Sequence, residues 1–152
     1  MKRRLRDTIS LECPVPEADS RIAAFLDGHR DRDGITRFAL RVPLDGIGPL
    51  HGLALEREVR VDAHRDRDDQ NLNDLVRISW KPDGDLAFPA FEGTLVTWSA
   101  DDPMRSFVEL DGWYEPPFGD AGELFDEAVC HAIAQRTARA LLDDMAAAHT
   151  VA

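Results

Sequence analysis

Three side chains stand where chemistry is possible and packing alone does not ask for them. Arg57 falls on the apolar phase of the alternating stretch Leu53 to Ala63, beside Leu55, Val59 and Val61. A guanidinium there could anchor a ligand carboxylate, phosphate or phenolate, since its planar fork meets two oxygens at once. The plainer accounts are a bulge that turns it outward, or a pair with a core carboxylate such as Asp7. Tyr114 is the single tyrosine of the chain. It ends the last strand-like stretch on the inward phase, where its phenol could meet a ligand or act as an acid. A bond to a backbone carbonyl is its structural alternative. Thr137 interrupts the apolar stripe of the final helix. It could present a hydroxyl to a cavity, although back-bonding to the helix carbonyl is the default for threonine.

Other chemistries find no support. The stretch Asp62 to Asp74 is rich in oxygen ligands. Counted from Asp66, however, the positions where a calcium loop wants Gly and Glu hold Asn71 and Arg77. A solvated acidic loop is expected there. His29, His51, His64, His131 and His149 are scattered, with no H-x-x-x-H pair, so no metal site is expected. Cys13 and Cys130 fit no metal or redox spacing and are expected as two reduced thiols. No nucleophile elbow, P-loop or dinucleotide fingerprint occurs, so no cofactor is implied and no catalytic motif is visible. Trp80, Trp98 and Trp113 lie in strand-like stretches. Trp98 and Trp113 fall on the outward phase, which makes them candidates for a homodimer or partner contact.

The elements that must position these residues follow from periodicity. Leu5 to Cys13 alternates as a half-buried strand, with Asp7 intruding on its apolar face, and Pro14 and Pro16 end it. Glu17 to Leu26 has the composition of a short helix. Strands are expected at Ile35–Leu44, Leu53–Ala63, Leu75–Lys81, Phe88–Trp98 and Met104–Tyr114. Turns at Asp33-Gly34, Asp45 to Pro49, Pro82 to Asp85 and Asp101 to Pro103 separate them. Gly93, in mid-strand, signals a bulge or a close approach.

From Ala121 to Ala148 runs a helical pattern with Asp120 as N-cap and Glu123 completing a capping box. About 28 residues give a rod of roughly 40 Å. Its apolar stripe is Phe125, Val129, Ile133, Thr137, Leu141 and Met145. Glu127, His131, Gln135, Arg139 and Asp143 form the opposite, polar stripe. Short connections between consecutive strands predict an antiparallel meander with the long helix across one face, an α+β arrangement. At 152 residues, 43% hydrophobic and 31% charged, one domain spanning 1–152 is expected. A net charge of −11 argues against nucleic acid and against an anionic membrane surface. The basic start has no apolar run behind it, so no signal peptide is expected and a cytoplasmic location follows.

The order of elements, and the tail Leu110-Asp-Gly-Trp-Tyr-Glu-Pro-Pro-Phe-Gly followed by a helix carrying Ala138-Arg-Ala-Leu-Leu, resemble the START/SRPBCC superfamily of birch-allergen-like proteins. The resembling segments cover most of the chain. Members usually show two short helices after the first strand and six strands before the last helix. Here one such helix and five strands are legible. The resemblance implies a helix-grip fold, a curved antiparallel sheet of six to seven strands wrapped around the C-terminal helix, with an apolar cavity between them. It implies binding of lipid-, polyketide- or aromatic-like molecules, and supplies no catalytic set. The expected walls are Val59, Phe91, Leu95, Val108, Leu110, Phe125, Val129 and Ile133, with Arg57, Tyr114 and Thr137 as polar points. A polyketide cyclase or aromatase using Tyr114 or Arg57 is the second expectation. A filled interaction module using Trp98 or Trp113 is the third.

Overall fold

The structure is a computed structural model and describes residues 2–43, 54–68, 73–82, 90–115 and 127–148. Six strands form one antiparallel sheet: β1 (Arg3–Leu11), β2 (Thr36–Pro43), β3 (Ala54–Asp68), β4 (Asn73–Pro82), β5 (Ala90–Ser99) and β6 (Ser106–Glu115). Their order is β1-β6-β5-β4-β3-β2. The meander from β2 to β6 is as the short turns demand, and β1 adds itself beside β6. With helix α1 (Val15–Gly28) and the closing helix α2 (Glu127–Ala147), the architecture is α+β with an open sheet and a C-terminal helix, consistent with a helix-grip fold.

α1 starts earlier than its composition suggests. Pro14 precedes it in extended backbone, and the Pro14 carbonyl accepts from the Glu17 and Ala18 amides at 3.0 and 3.1 Å. Proline is compatible with a helix's first turn, whose amides have no partner within the helix. At the other end His29 donates from Nδ1 to the Phe25 carbonyl at 2.8 Å, and its ring lies against Phe25 and Phe38. The helix exit is thereby fixed to β2. The Asp31 carboxylate then shapes the turn into β2 by accepting from the Asp33 and Ile35 amides, each at 2.9 Å. Gly34 supplies the positive φ of 80° that the turn requires.

Two boundaries differ from expectation. β3 continues to Asp68, five residues beyond its expected end at Ala63, and β4 begins at Asn73, two residues before its expected start at Leu75. Cross-strand pairing carries this hairpin through Arg65↔Val76 and Arg67↔Asp74, so pairing with β4 outweighs the polar composition. The expected loop Asp45 to Pro49, the turn Pro82 to Asp85 beyond Pro82, and the cap at Asp120 with Glu123 lie outside the described residues.

β5 and β6 approach each other through a glycine pair. Gly93 stands directly opposite Gly112, and the register runs unbroken from Ala90↔Glu115 to Ser99↔Ser106. Gly93 is therefore a close approach and not a bulge. A Cβ built on Gly112 would lie 2.7 Å from Phe91 Cζ and 2.2 Å from the Glu92 carbonyl oxygen. The Phe91 ring folds down over the space that two side chains would fill. Gly112→Ala should lower the unfolding free energy by about 1–3 kcal/mol, measured by urea denaturation. A variant of unchanged stability would contradict the close packing.

Candidate functional site

The inner face of the sheet carries the core. Val59, Phe91, Leu95, Val108, Leu110 and Tyr114 project from β3, β5 and β6, and Ile133 projects from α2; all are buried in one apolar cluster. Trp80 stacks on Phe91 with ring centroids 4.2 Å apart. Trp80, Phe91 and Tyr114 are successive partners across β4, β5 and β6, so an aromatic row crosses the sheet at this level. Thr137 is also buried, but its hydroxyl donates to the Ile133 carbonyl at 2.7 Å and is spent within the helix. The side chains of Arg57 and Val129, and all of Phe125, lie outside the described residues. Arg57 itself sits in β3 opposite Leu40 of β2.

α2 does not lie on the middle of the sheet. It packs against β1 and β2, the two edge strands, with a lesser contact on β6 and another on α1. Among the described residues its contact with β3, β4 and β5 is slight. The sheet therefore curls so that both edges reach one helix, and the inner side chains of the middle strands face the interior between sheet and helix. Two polar links hold this arrangement. Arg139 of α2 donates to Asp7 of β1 at 2.6 Å, and Arg21 of α1 donates to the Ala146 carbonyl at 3.3 Å. Arg139 was expected on the outward stripe and Asp7 as an intrusion. Each explains the other, because an edge strand facing a helix can admit a carboxylate that the helix neutralises.

One candidate side chain escaped the sequence. His131, expected on the exposed polar stripe, is only half-exposed, and its Nδ1 lies 3.0 Å from the Tyr114 hydroxyl. Tyr114 thus has an imidazole where a backbone carbonyl was the plain expectation. Burial raises the Tyr114 phenol above its ordinary pKa; Arg3 opposes this and Cys130 adds to it. The phenol and Nδ1 share one hydrogen bond, whose direction follows the imidazole tautomer: the hydroxyl donates when Nε2 carries the ring proton and accepts when Nδ1 does. The signal available in the sequence was slight. His131 follows Cys130 one helical step from the apolar stripe, and a drifting stripe leaves such positions half-covered.

Among the described residues no group of His, Cys, Asp or Glu is placed to hold a metal ion, and both cysteines are free and buried. No described helix is long and apolar enough to cross a membrane.

No family model matches the chain, and no curated protein matches it. Solved structures do. The aromatase/cyclase ZhuI from Streptomyces sp. R1128 superposes with a TM-score of 0.56 at 15% identity, over 96% of this chain and 92% of that one. TTHA0849 from Thermus thermophilus gives a TM-score of 0.54 at 20% identity, over 95% and 94% of the two chains. At these identities the likeness is one of fold, and it agrees with the helix-grip arrangement of sheet and closing helix.

Tyr114 is the sole tyrosine, so its titration can be followed directly by tyrosinate absorbance. Its raised value favours the native state, with the full contribution below a phenol's ordinary pKa of about 10. That contribution is lost as pH rises through the folded-state value. One inflection displaced above the unfolded chain's is expected, together with a stability loss in that alkaline window that Tyr114→Phe lacks. An inflection at or below the unfolded value would contradict the buried, neutral phenol.

Proposed function

We propose that the chain binds a small hydrophobic or amphipathic molecule between the curled sheet and α2, with Tyr114 and His131 as the polar end of the site. The observation that carries this is the seating of α2 on the two sheet edges, which directs the inner side chains of the middle strands toward an interior with few helix contacts. The phenol–imidazole pair supports it, because it adds a donor and an acceptor to apolar surroundings, as small-molecule sites commonly do. Binding draws on the transfer of apolar ligand surface from water, about 25 cal/mol per Å² before the costs of association. A ligand oxygen would compete for the phenol, and Arg57 is the further candidate for an anionic group.

The test is native mass spectrometry of protein purified from its host, paired with titration by the neutral, apolar dye Nile red. A retained small molecule or saturable dye uptake is expected. Tyr114→Phe should weaken the retained ligand by about tenfold through one lost hydrogen bond. Protein that carries nothing and takes up no dye would sink the proposal.

The second reading is a cyclase- or aromatase-like enzyme. Its support is the Tyr114–His131 pair together with the likeness of fold to an aromatase/cyclase. In such a site Tyr114 would donate a proton to a ligand carbonyl oxygen while the His131 imidazole takes the proton that the adjacent carbon loses, so that the enol forms with one proton given and one received. Catalysed exchange of α-protons for deuterium in a cyclic diketone, lost in both Tyr114→Phe and His131→Gln, is the expected signature. Exchange at the buffer rate removes this reading and leaves binding.

A further inference from the structure

The face of the sheet turned away from both helices carries a cleft of about 320 Å³. That is within the range of small-molecule sites. Its cause is local. Ser79 of β4 and Ala90 of β5 are short side chains set among long ones, Arg60 and Lys81 on one side, Glu92 and Trp113 on the other. A hollow therefore opens in an otherwise ordinary strand surface.

The two ends of this hollow differ in chemistry. At one end Arg37, Arg60 and Lys81 stand directly opposite one another on β2, β3 and β4. Like charges directly opposite across strands are destabilising, so such a row needs compensation. Arg37 has it, from the Asp31 carboxylate. Arg60 and Lys81 make no ion pair among the described residues, although the Asp31 carboxylate that pairs with Arg37 also attracts Arg60. Glu58 and Asp62, two positions either side of Arg60 on β3, make none with it, and Asp62 lies 3.8 Å from His64. Lys2, the other cation of the cleft, is joined to Glu92 and also attracted by Glu115, which with Asp62 completes the acidic part of the lining. Among the described residues, two adjacent cations are thus left without a bonded carboxylate in a chain whose net charge is −11.

At the other end stands Trp113, 47% exposed, the most exposed aromatic among the described residues. It is held for contact: the Arg4 guanidinium lies over its ring at 5.9 Å, and Arg4 is fixed in turn by Asp111 at 2.8 and 3.1 Å. An indole so braced is a stacking platform whose ordering cost has already been met in the free protein. Lys81 and Trp113 are two strands apart, roughly 10 Å.

We propose that this outer cleft binds a small aromatic anion, its ring on Trp113 and its anionic group between Arg60 and Lys81. The site is independent of the interior behind α2. Trp113 and Tyr114, though adjacent in sequence, face opposite sides of the sheet.

The test uses the full chain and 2-naphthoate as probe, with the indole N–H of Trp113 followed by NMR and assigned through Trp113→Phe. A saturable shift of that resonance is expected, weaker at high salt because the charges are exposed. Loss of both cations in the Arg60→Gln, Lys81→Gln double variant should weaken binding by about tenfold or more. Both positions are exposed, so far-ultraviolet circular dichroism should be unchanged. Neutral 2-naphthamide should bind at least about tenfold less tightly for the same reason. Tyr114→Phe should bind 2-naphthoate as the parent does. The proposal is overturned by an absent or non-saturating shift, by equal affinity in the double variant, or by equal affinity for the amide. Loss of binding in Tyr114→Phe would also overturn it, by moving the site to the interior.

Discussion

An open sheet that curls has two unpaired edges, and in this fold one helix answers for both. β1 and β2 lie at opposite ends of the strand order, yet α2 packs on each of them. Curvature brings the edges within reach of one rod about 10 Å across. The Asp7–Arg139 bond, the contact of α1 with α2, and the buried residues Ala138, Leu141, Leu142 and Met145 fasten the helix there. The rest of the molecule depends on that seating. It lies across the concave face while packing on the two edge strands, and it brings His131 over the end of β6 where Tyr114 lies.

The aromatic row beneath follows from the same curvature. Strands that bend sharply need small residues where their backbones converge, and Gly93 opposite Gly112 meets that need between β5 and β6. The exposed backbone is covered by the ring of Phe91, which stacks on Trp80 in turn. Glycine's entropic cost in a strand is offset by an aromatic ring lying over it. What Gly112 admits is the ring of Phe91, from the neighbouring strand.

Much of the fold was legible because periodicity reports which face of an element is buried. The order of one strand, one helix, five strands and a helix could be read from it, as could the inward phase of Val59, Phe91, Val108, Leu110 and Tyr114. Where composition and pairing disagree, pairing decides. The extension of β3 to Asp68 has no hydrophobic signature, since its far end is held by the ladder to β4 and not by burial. The site was legible in half. Tyr114 stood out by type and phase, but its partner could not be found, because a contact between residues 114 and 131 depends on how a helix is seated on a sheet, which no local pattern encodes. Arg139 was misassigned for the same reason: a polar stripe looks solvated until a carboxylate on another element lies against it.

The chain's charges show how parity divides the molecule. Cations on the outer face are mostly spent on local carboxylates: Lys2 on Glu92, Arg4 and Arg6 on Asp111, Arg37 on Asp31. In an acidic chain such neutralisation is easily arranged. Arg60 and Lys81 stand opposite each other without an ion pair among the described residues, and the Asp31 carboxylate reaches Arg60 only through space. Trp113 and Tyr114 set the two chemistries one residue apart, an exposed indole outside and a hydrogen-bonded phenol inside. A slip of one residue in β6 would exchange their faces, turning the phenol to solvent and burying the indole. The glycine pair opposes that slip. Under a one-residue shift the ring of Phe91 would meet Asp111 or Trp113 in place of Gly112, and neither leaves room for it. The close approach that serves the packing therefore also fixes which side of the sheet Trp113 and Tyr114 each face.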